Sequence, residues 1–209
     1  MKLNKMKKLS AIPLLLICLS LQAQDIRLPS PVKTGGKPLM DVLAQRKSNR
    51  EFSEKELSLQ QLSDLLWAAN GISREDGRRT APSARNKQQI DIYAFTAKGI
   101  YRYDYAGHTL KFIKSGDFRP EIAMNAFAHS APLLLVYVAD YNKMEDMNQE
   151  AREFYGATDC GNVSQNVYLY CASENLNTVA IGSIHRDKIK ELTGFNGKAI
   201  LGQPVGFPK

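Results

Sequence analysis

The chain has 209 residues and a formal charge of +7, but four of its lysines (Lys2, Lys5, Lys7 and Lys8) fall in the first eight positions, leaving about +3 on the rest. So small an excess, with no sustained basic face, argues against nucleic acid as a partner. Three cysteines, one of them Cys18 near the N-terminus, are too few for a disulfide-built scaffold.

The lysine-rich start is followed by an apolar run from Ala11 to Leu21 and by Gln22-Ala23-Gln24-Asp25. That order matches a secretory signal peptide, and the run is too short to span a bilayer as a stable anchor. Residues 1–24 are read as a leader cleaved near Ala23 or Gln24, which directs the protein to a bacterial periplasm. Ile17 is a poor residue before a lipid-modified Cys18, so lipoprotein processing is the minor alternative. No membrane span is expected in the mature form. About 185 residues remain, enough for one domain with its own core. That domain is placed at 38–209, behind an irregular arm at 25–37 whose prolines and glycines argue against regular structure.

A helix is expected over 38–47, and a second from Ser58 to Asn70. Ser58 and Gln61 form a capping-box pattern, Leu62, Leu65, Leu66 and Ala69 an apolar stripe, and Gly71 a stop. Trp67 belongs to that core or to an interface. Polar residues 72–80 read as a mobile loop. Strands at 90–96, 100–105 and 109–113 form an antiparallel meander, with Tyr93, Tyr101, Tyr103 and Tyr105 alternating as on a sheet face. A helix at 120–129 precedes Pro132–Val138, a continuous apolar run expected as a central strand. The longest helix is placed at 147–175, with Phe154, Val163, Val167, Tyr170 and Cys171 inward. Cys160 and Cys171 lie eleven residues apart on it, roughly 16 Å along the axis, and read as buried free thiols. A short strand at 178–181, a helix at 186–193 ending at Gly194 and a last strand at 198–206 complete an α+β fold: a mostly antiparallel sheet covered by helices.

Hydrolytic chemistry finds no support. His108, His129 and His185 show no metal-ligand spacing, and there is no HExxH, CxxC pair, GxSxG elbow, P-loop or GxGxxG. No metal is expected. Arg46-Lys47-Ser48-Asn49-Arg50-Glu51-Phe52 is different. In an extended segment Arg46, Ser48 and Arg50 project to one side, two guanidinium forks with a hydroxyl between them. Guanidinium groups match phosphate oxygens bidentately, although a solvated surface is the commoner origin of such a cluster. Two further segments stand out. Ala81 to Gln89 combines a stiff Pro82, polar Ser83 and Asn86, and small Ala84, which would let backbone amides approach a flat ligand; it could equally be an ordinary loop. Val179-Ala180-Ile181-Gly182-Ser183 ends a strand in small residues that can lie against an aromatic ring, or simply turn into the next loop.

In their order and spacing, these three segments resemble the nitroreductase family, the FMN-dependent oxidoreductases that include SagB-like dehydrogenases. The likeness covers about residues 38 to 206. Arg46, Ser48, Arg50 and Phe52 meet its Arg-x-Ser-x-Arg/Lys-x-Phe segment, and Pro82 to Gln88 its Pro-Ser-small-x-Asn-x-Gln loop. The resemblance implies an intertwined homodimer with FMN at the interface. It implies cofactor contacts from Arg46, Lys47, Ser48 and Arg50, from Pro82, Ser83, Ala84 and Asn86 of the other subunit, and from Ala180, Ile181, Gly182 and Ser183 beside the isoalloxazine. Many members carry a basic pair beyond the last strand, and here Lys209 is the cation at that place. No catalytic side chain is then needed, because the flavin passes hydride between a small-molecule donor and acceptor, such as a quinone or nitroaromatic, in a ping-pong cycle. The competing expectation, motivated by the scarcity of NAD(P)H outside the cytoplasm, is a non-catalytic periplasmic flavin- or partner-binding module on the same fold.

Overall fold

The computed structural model describes residues 24–209, so the expected leader lies outside them except for Gln24. In chain order the elements are β1 (Ile26–Arg27), α1 (Leu39–Gln45), α2 (Leu59–Asn70), β2 (Ile90–Thr96), β3 (Gly99–Asp104) and β4 (Thr109–Ser115). There follow α3 (Arg119–Ile122), α4 (Phe127–Ser130), β5 (Leu133–Asp140), α5 (Gln149–Ser173), β6 (Asn177–Thr178), α6 (Arg186–Thr193) and β7 (Gly197–Gly206). The strands form one antiparallel sheet in the order β1-β4-β3-β2-β5-β7-β6. The α+β architecture read from the sequence is therefore present.

The apolar run in β5 explains the centre of the molecule. Leu133 to Ala139 are all buried, the odd-numbered side chains in one core and the even-numbered ones in the other. Helices α2 and α5 cover the first face, with Leu62, Leu65, Leu66, Ala69, Val163, Val167 and Cys171 packed on it. The second face is covered by residues of α3, α4 and α6, including Ile122, Ala128, Ile189 and Leu192. The capping box of α2 is formed as expected, Ser58 accepting from the Gln61 amide and Gln61 returning to the Ser58 amide. Such a cap stabilises a helix by about 1 kcal/mol.

Several expectations are corrected. The arm is not wholly irregular: Ile26 and Arg27 pair with β4, and the Asp25 carboxylate takes the Phe112 amide at 2.8 Å. Residues 72–80 are closed on themselves by an Ile72–Arg79 bridge, and the Arg79 guanidinium lies 3.5 Å over the Tyr105 ring. The helix expected at 120–129 is two single turns, because Ala123 is extended and pairs with Ile184 instead. Phe154 points outward, 61% exposed, since it lies off the Val163–Val167–Cys171 stripe. The strand expected at 178–181 is regular only at Asn177–Thr178, after which Ile181 makes a lone bridge to Gly202. Cys160 and Cys171 are buried free thiols.

Candidate functional site

Helix α1 ends at Gln45, and Arg46 leaves it with extended backbone (φ −55°, ψ 123°). The chain then lies along the edge of β6. The Asn49 amide donates to the Thr178 carbonyl at 3.0 Å, and the Asn177 side chain donates to the Glu51 carbonyl at 2.7 Å. Phe52 is buried and the Ser53 amide bonds Phe207, so both ends of the segment are fixed.

The alternation of an extended segment is present. The Arg46 guanidinium lies over the Tyr168 ring, 5.2 Å from its centroid; Ser48 Oγ lies 2.9 Å from Tyr168 Oη; and the Arg50 guanidinium lies over Phe127, 5.9 Å from its centroid. Lys47 projects the other way, into a groove of about 560 Å³ shared with Asn49, Glu51, Asn177 and Pro208. A guanidinium drawn to an aromatic ring spends no N–H group on a carboxylate there, so its donors stay available to grip an oxyanion. Among the described residues no carboxylate forms a salt bridge with Arg46, Lys47 or Arg50, whereas Lys87, Lys98, Lys111, Arg119 and Lys143 all have acidic partners. Among the described residues the row is thus a set of cations without an acidic partner.

The strand end at 180–183 adjoins this row through the same tyrosine. Tyr168 Oη accepts the Ala180 amide at 2.8 Å. Ile181 is pinned to Gly202 by two backbone bonds, and Ser183 is held by the Asn125 side chain and by the Met124 amide. Gly182 stands between them, exposed, with its amide unpaired among the described residues. A Cβ there would meet nothing within 4 Å, so the open space in front of this backbone is real.

The loop at 82–86 lies elsewhere. Its Ala84 amide and the Gln89 side chain both donate to the Asp159 carboxylate, at 2.8 and 2.6 Å, and Asn162 reaches the Pro82 carbonyl at 3.4 Å. Ser83 and Asn86 are partly satisfied within the loop by Gln88. Arg85, Asn86 and Gln88 all have positive φ, near +50°. Non-glycine residues in that region cluster at sites where backbone shape matters to function. Asp159 and Tyr168 are nine residues apart on α5, roughly 14 Å along its axis. One chain therefore brings Arg46, Ser48 and Ala180 together and holds Pro82, Ser83, Ala84 and Asn86 away from them.

The sequence reading missed Tyr168, Asp159, Phe127 and Asn125. The one signal for Tyr168 was a hydroxyl-bearing ring at the flank of an apolar helical stripe, which needs a polar partner. Both described cysteines and two of the histidines are committed to structure. Burial pushes the Cys160 thiol up to about 12 and raises Cys171 as well, so neither is a thiolate at neutral pH. His108 is gripped between Ser63 and Tyr103, His129 bonds the Ala123 carbonyl, and the described residues hold no cluster able to bind a metal.

A family model described as nitroreductase family matches residues 43–207. MJ1384 of Methanocaldococcus jannaschii, a nitroreductase by assignment, is 32% identical over 178 residues, covering 80% of this chain and 90% of that protein. A crystal structure from Ralstonia eutropha JMP134, also a nitroreductase by assignment, is 41% identical with a TM-score of 0.83, covering 89% of this chain and 90% of that one. The NADPH:FMN oxidoreductase of Vibrio harveyi, complexed with NAD+, shares the fold at 22% identity and a TM-score of 0.61, over 82% of this chain and 69% of its own.

Proposed function

The chain belongs to the nitroreductase family of oxidoreductases, and from that premise we propose that it binds FMN and moves hydride from a reduced donor to a small organic acceptor. The observation that carries this reading is the row Arg46–Ser48–Arg50, set beside aromatic rings, with no acidic partner among the described residues, and adjoining an exposed backbone amide at Gly182. FMN needs those features: cations for its phosphate and for the electron-rich edge of its ring, and an open, small-residue backbone against the ring. When bound, the cofactor supplies the hydride chemistry, so the protein needs no general base.

The chain's own residues would divide the work. Arg46 and Ser48 would take the phosphate, and Arg50 would place positive charge near the pyrimidine edge. Gly182 would offer its amide to the ring. Pro82, Ser83, Ala84 and Asn86 would serve the flavin of a second copy, since in their own protomer they dock on α5 far from Tyr168. Exposed Leu39, Met40 and Leu43 on α1 and Phe154 on α5 supply apolar surface for that copy to cover. Export to the periplasm rests on residues 1–24 alone, and fractionation of the full-length protein tests it.

The purified protein should be yellow, with a flavin absorption band, and should elute as a dimer. A colourless protein that takes up no added FMN would refute the reading. Steady-state turnover of NAD(P)H with a quinone or nitroaromatic should give ping-pong kinetics, whereas flavin that binds tightly and is never reduced would leave only a binding module.

A further inference from the structure

Tyr168 makes three contacts that no sequence motif anticipated, and together they fix a direction. Its oxygen lies 2.8 Å from the Ala180 nitrogen, and a backbone N–H can only donate, so the phenol oxygen is an acceptor there. The phenolic proton is then left for the other close atom, Ser48 Oγ at 2.9 Å. The phenol is the more acidic hydroxyl and the serine oxygen the better acceptor, which favours the same sense. Ser48, having accepted from Tyr168, turns its own proton outward. Ser48 is exposed, and Arg46 lies across the face of the same ring at 5.2 Å, with its N–H edge unpaired by any carboxylate among the described residues.

We infer that Tyr168 is a positioning residue that sets Ser48 and Arg46 as a paired donor for a phosphate monoester, through the directed chain Ala180 N–H to Tyr168 O–H to Ser48 O–H. The inference rests on the FMN reading but is sharper than it, because it says which part of the ligand feels Tyr168. The ring holds the Arg46 guanidinium beside Ser48, and the hydroxyl fixes the rotor of Ser48. A hydroxyl that must be a donor suits the terminal phosphate oxygens, which only accept at neutral pH. The sugar-alcohol hydroxyls of the ribityl chain can both donate and accept, and gain less from a fixed direction. Tyr168 also ties the cation row to the strand end, since its oxygen holds Ala180 in the same grip.

Tyr168→Phe keeps the ring under Arg46 and removes only the hydroxyl. Dissociation constants for FMN and for riboflavin, which lacks the phosphate, are measured by flavin-fluorescence quenching on apoprotein, with a thermal midpoint taken for each variant. Tyr168→Phe should weaken FMN by about 10-fold and leave riboflavin within about 2-fold, as expected of one charge-assisted hydrogen bond. Ser48→Ala, at an exposed position, should do the same. The double variant should be no weaker than either single one, because both remove the same donor. Equal losses for FMN and riboflavin, or additive losses in the double variant, overturn the inference. If Tyr168→Phe fails to fold, Ser48→Ala still decides: a loss shared by both flavins refutes phosphate donation. A wild-type protein that binds neither flavin refutes the underlying flavin reading instead, so the two failures are told apart.

Discussion

Asp159 holds the loop at 82–89, and its truncation has a magnitude that the geometry sets. The carboxylate accepts the Ala84 amide at 2.8 Å and Gln89 Nε2 at 2.6 Å. Hydrogen bonds to a charged group are each worth about 1.5–3 kcal/mol. In Asp159→Ala the part-buried Ala84 amide can turn to water, so its loss sits at the low end. Gln89 has no such escape: it is fully buried, Nε2 keeps only a 3.4 Å contact with the Tyr155 carbonyl, and Oε1 already lacks a partner. The sum is about 3–4 kcal/mol, or roughly 6–16 °C in Tm for a domain of this size. The strain at Arg85, Asn86 and Gln88 adds a second effect, because residues forced into the left-handed region cost about 1 kcal/mol each and relax once the anchor goes. The loop should therefore open locally.

Urea denaturation measures the first effect, and limited trypsin digestion at Arg85 and Lys87 measures the second. Asp159→Asn separates hydrogen bonding from charge. Its amide oxygen can still accept from Ala84, and its NH2 can donate to Gln89 Oε1 if that side chain turns over, so the loss should stay within about 1 kcal/mol. An Asp159→Ala loss below about 1 kcal/mol with unchanged cleavage would refute the anchor. An Asn variant as damaged as the Ala variant would show that the charge, not the hydrogen bonds, is what matters.

Arg46→Ala should weaken FMN retention by about 10- to 100-fold, while Lys87→Ala should change it little, because Lys87 is already paired with Asp146 at 2.8 Å; fluorescence release on dilution compares them. Gln203 accepts from both Tyr137 and Ser164 in the core, at 2.7 and 2.8 Å, so Gln203→Leu strands two buried hydroxyls and should cost about 2–5 kcal/mol. Tyr137→Phe removes one donor and should cost about 1 kcal/mol; chemical denaturation ranks the pair. His108 has its pKa lowered, chiefly by burial, so the unfolded chain binds a proton more readily than the folded one. Its contribution is full above the ordinary histidine value of 6.5 and is lost as pH falls through that value toward the lower folded one. Melting curves from pH 8 to 5 should therefore fall less steeply for His108→Asn than for wild type.

The fold was legible wherever one physical demand dominated. The apolar run in β5 suits a strand buried on both faces, and Ser58 with Gln61 suits the start of a helix. Legibility failed where a distant partner made the decision. Residues 120–129 carry a helical pattern, yet Ala123 pairs with Ile184, some sixty residues away, and the helix breaks into two turns. Phe154 reads as a core residue, but its place on α5, off the buried stripe, leaves it 61% exposed.

The candidate site divides in the same way. Arg46, Ser48 and Arg50 were visible because an extended backbone puts alternate residues on one side, whatever lies opposite. That argument also turns Lys47 to the far face, and the structure places it there, in the groove with Asn49 and Glu51. Tyr168 and Asp159 were invisible because each acts by holding a segment remote in sequence, and neither carries a motif of its own. Yet they locate the two halves of the proposed pocket. Tyr168 gathers the cation row and the strand end, and Asp159 fixes the strained loop roughly 14 Å away along the same helix. On the proposed reading, the two halves meet on one flavin when a second copy sets its Asp159-held loop against the Tyr168 row of the first. Cofactor binding is then tied to dimerisation, so a strictly monomeric protein that retained FMN with full affinity would refute both the shared pocket and the role given to residues 82–86.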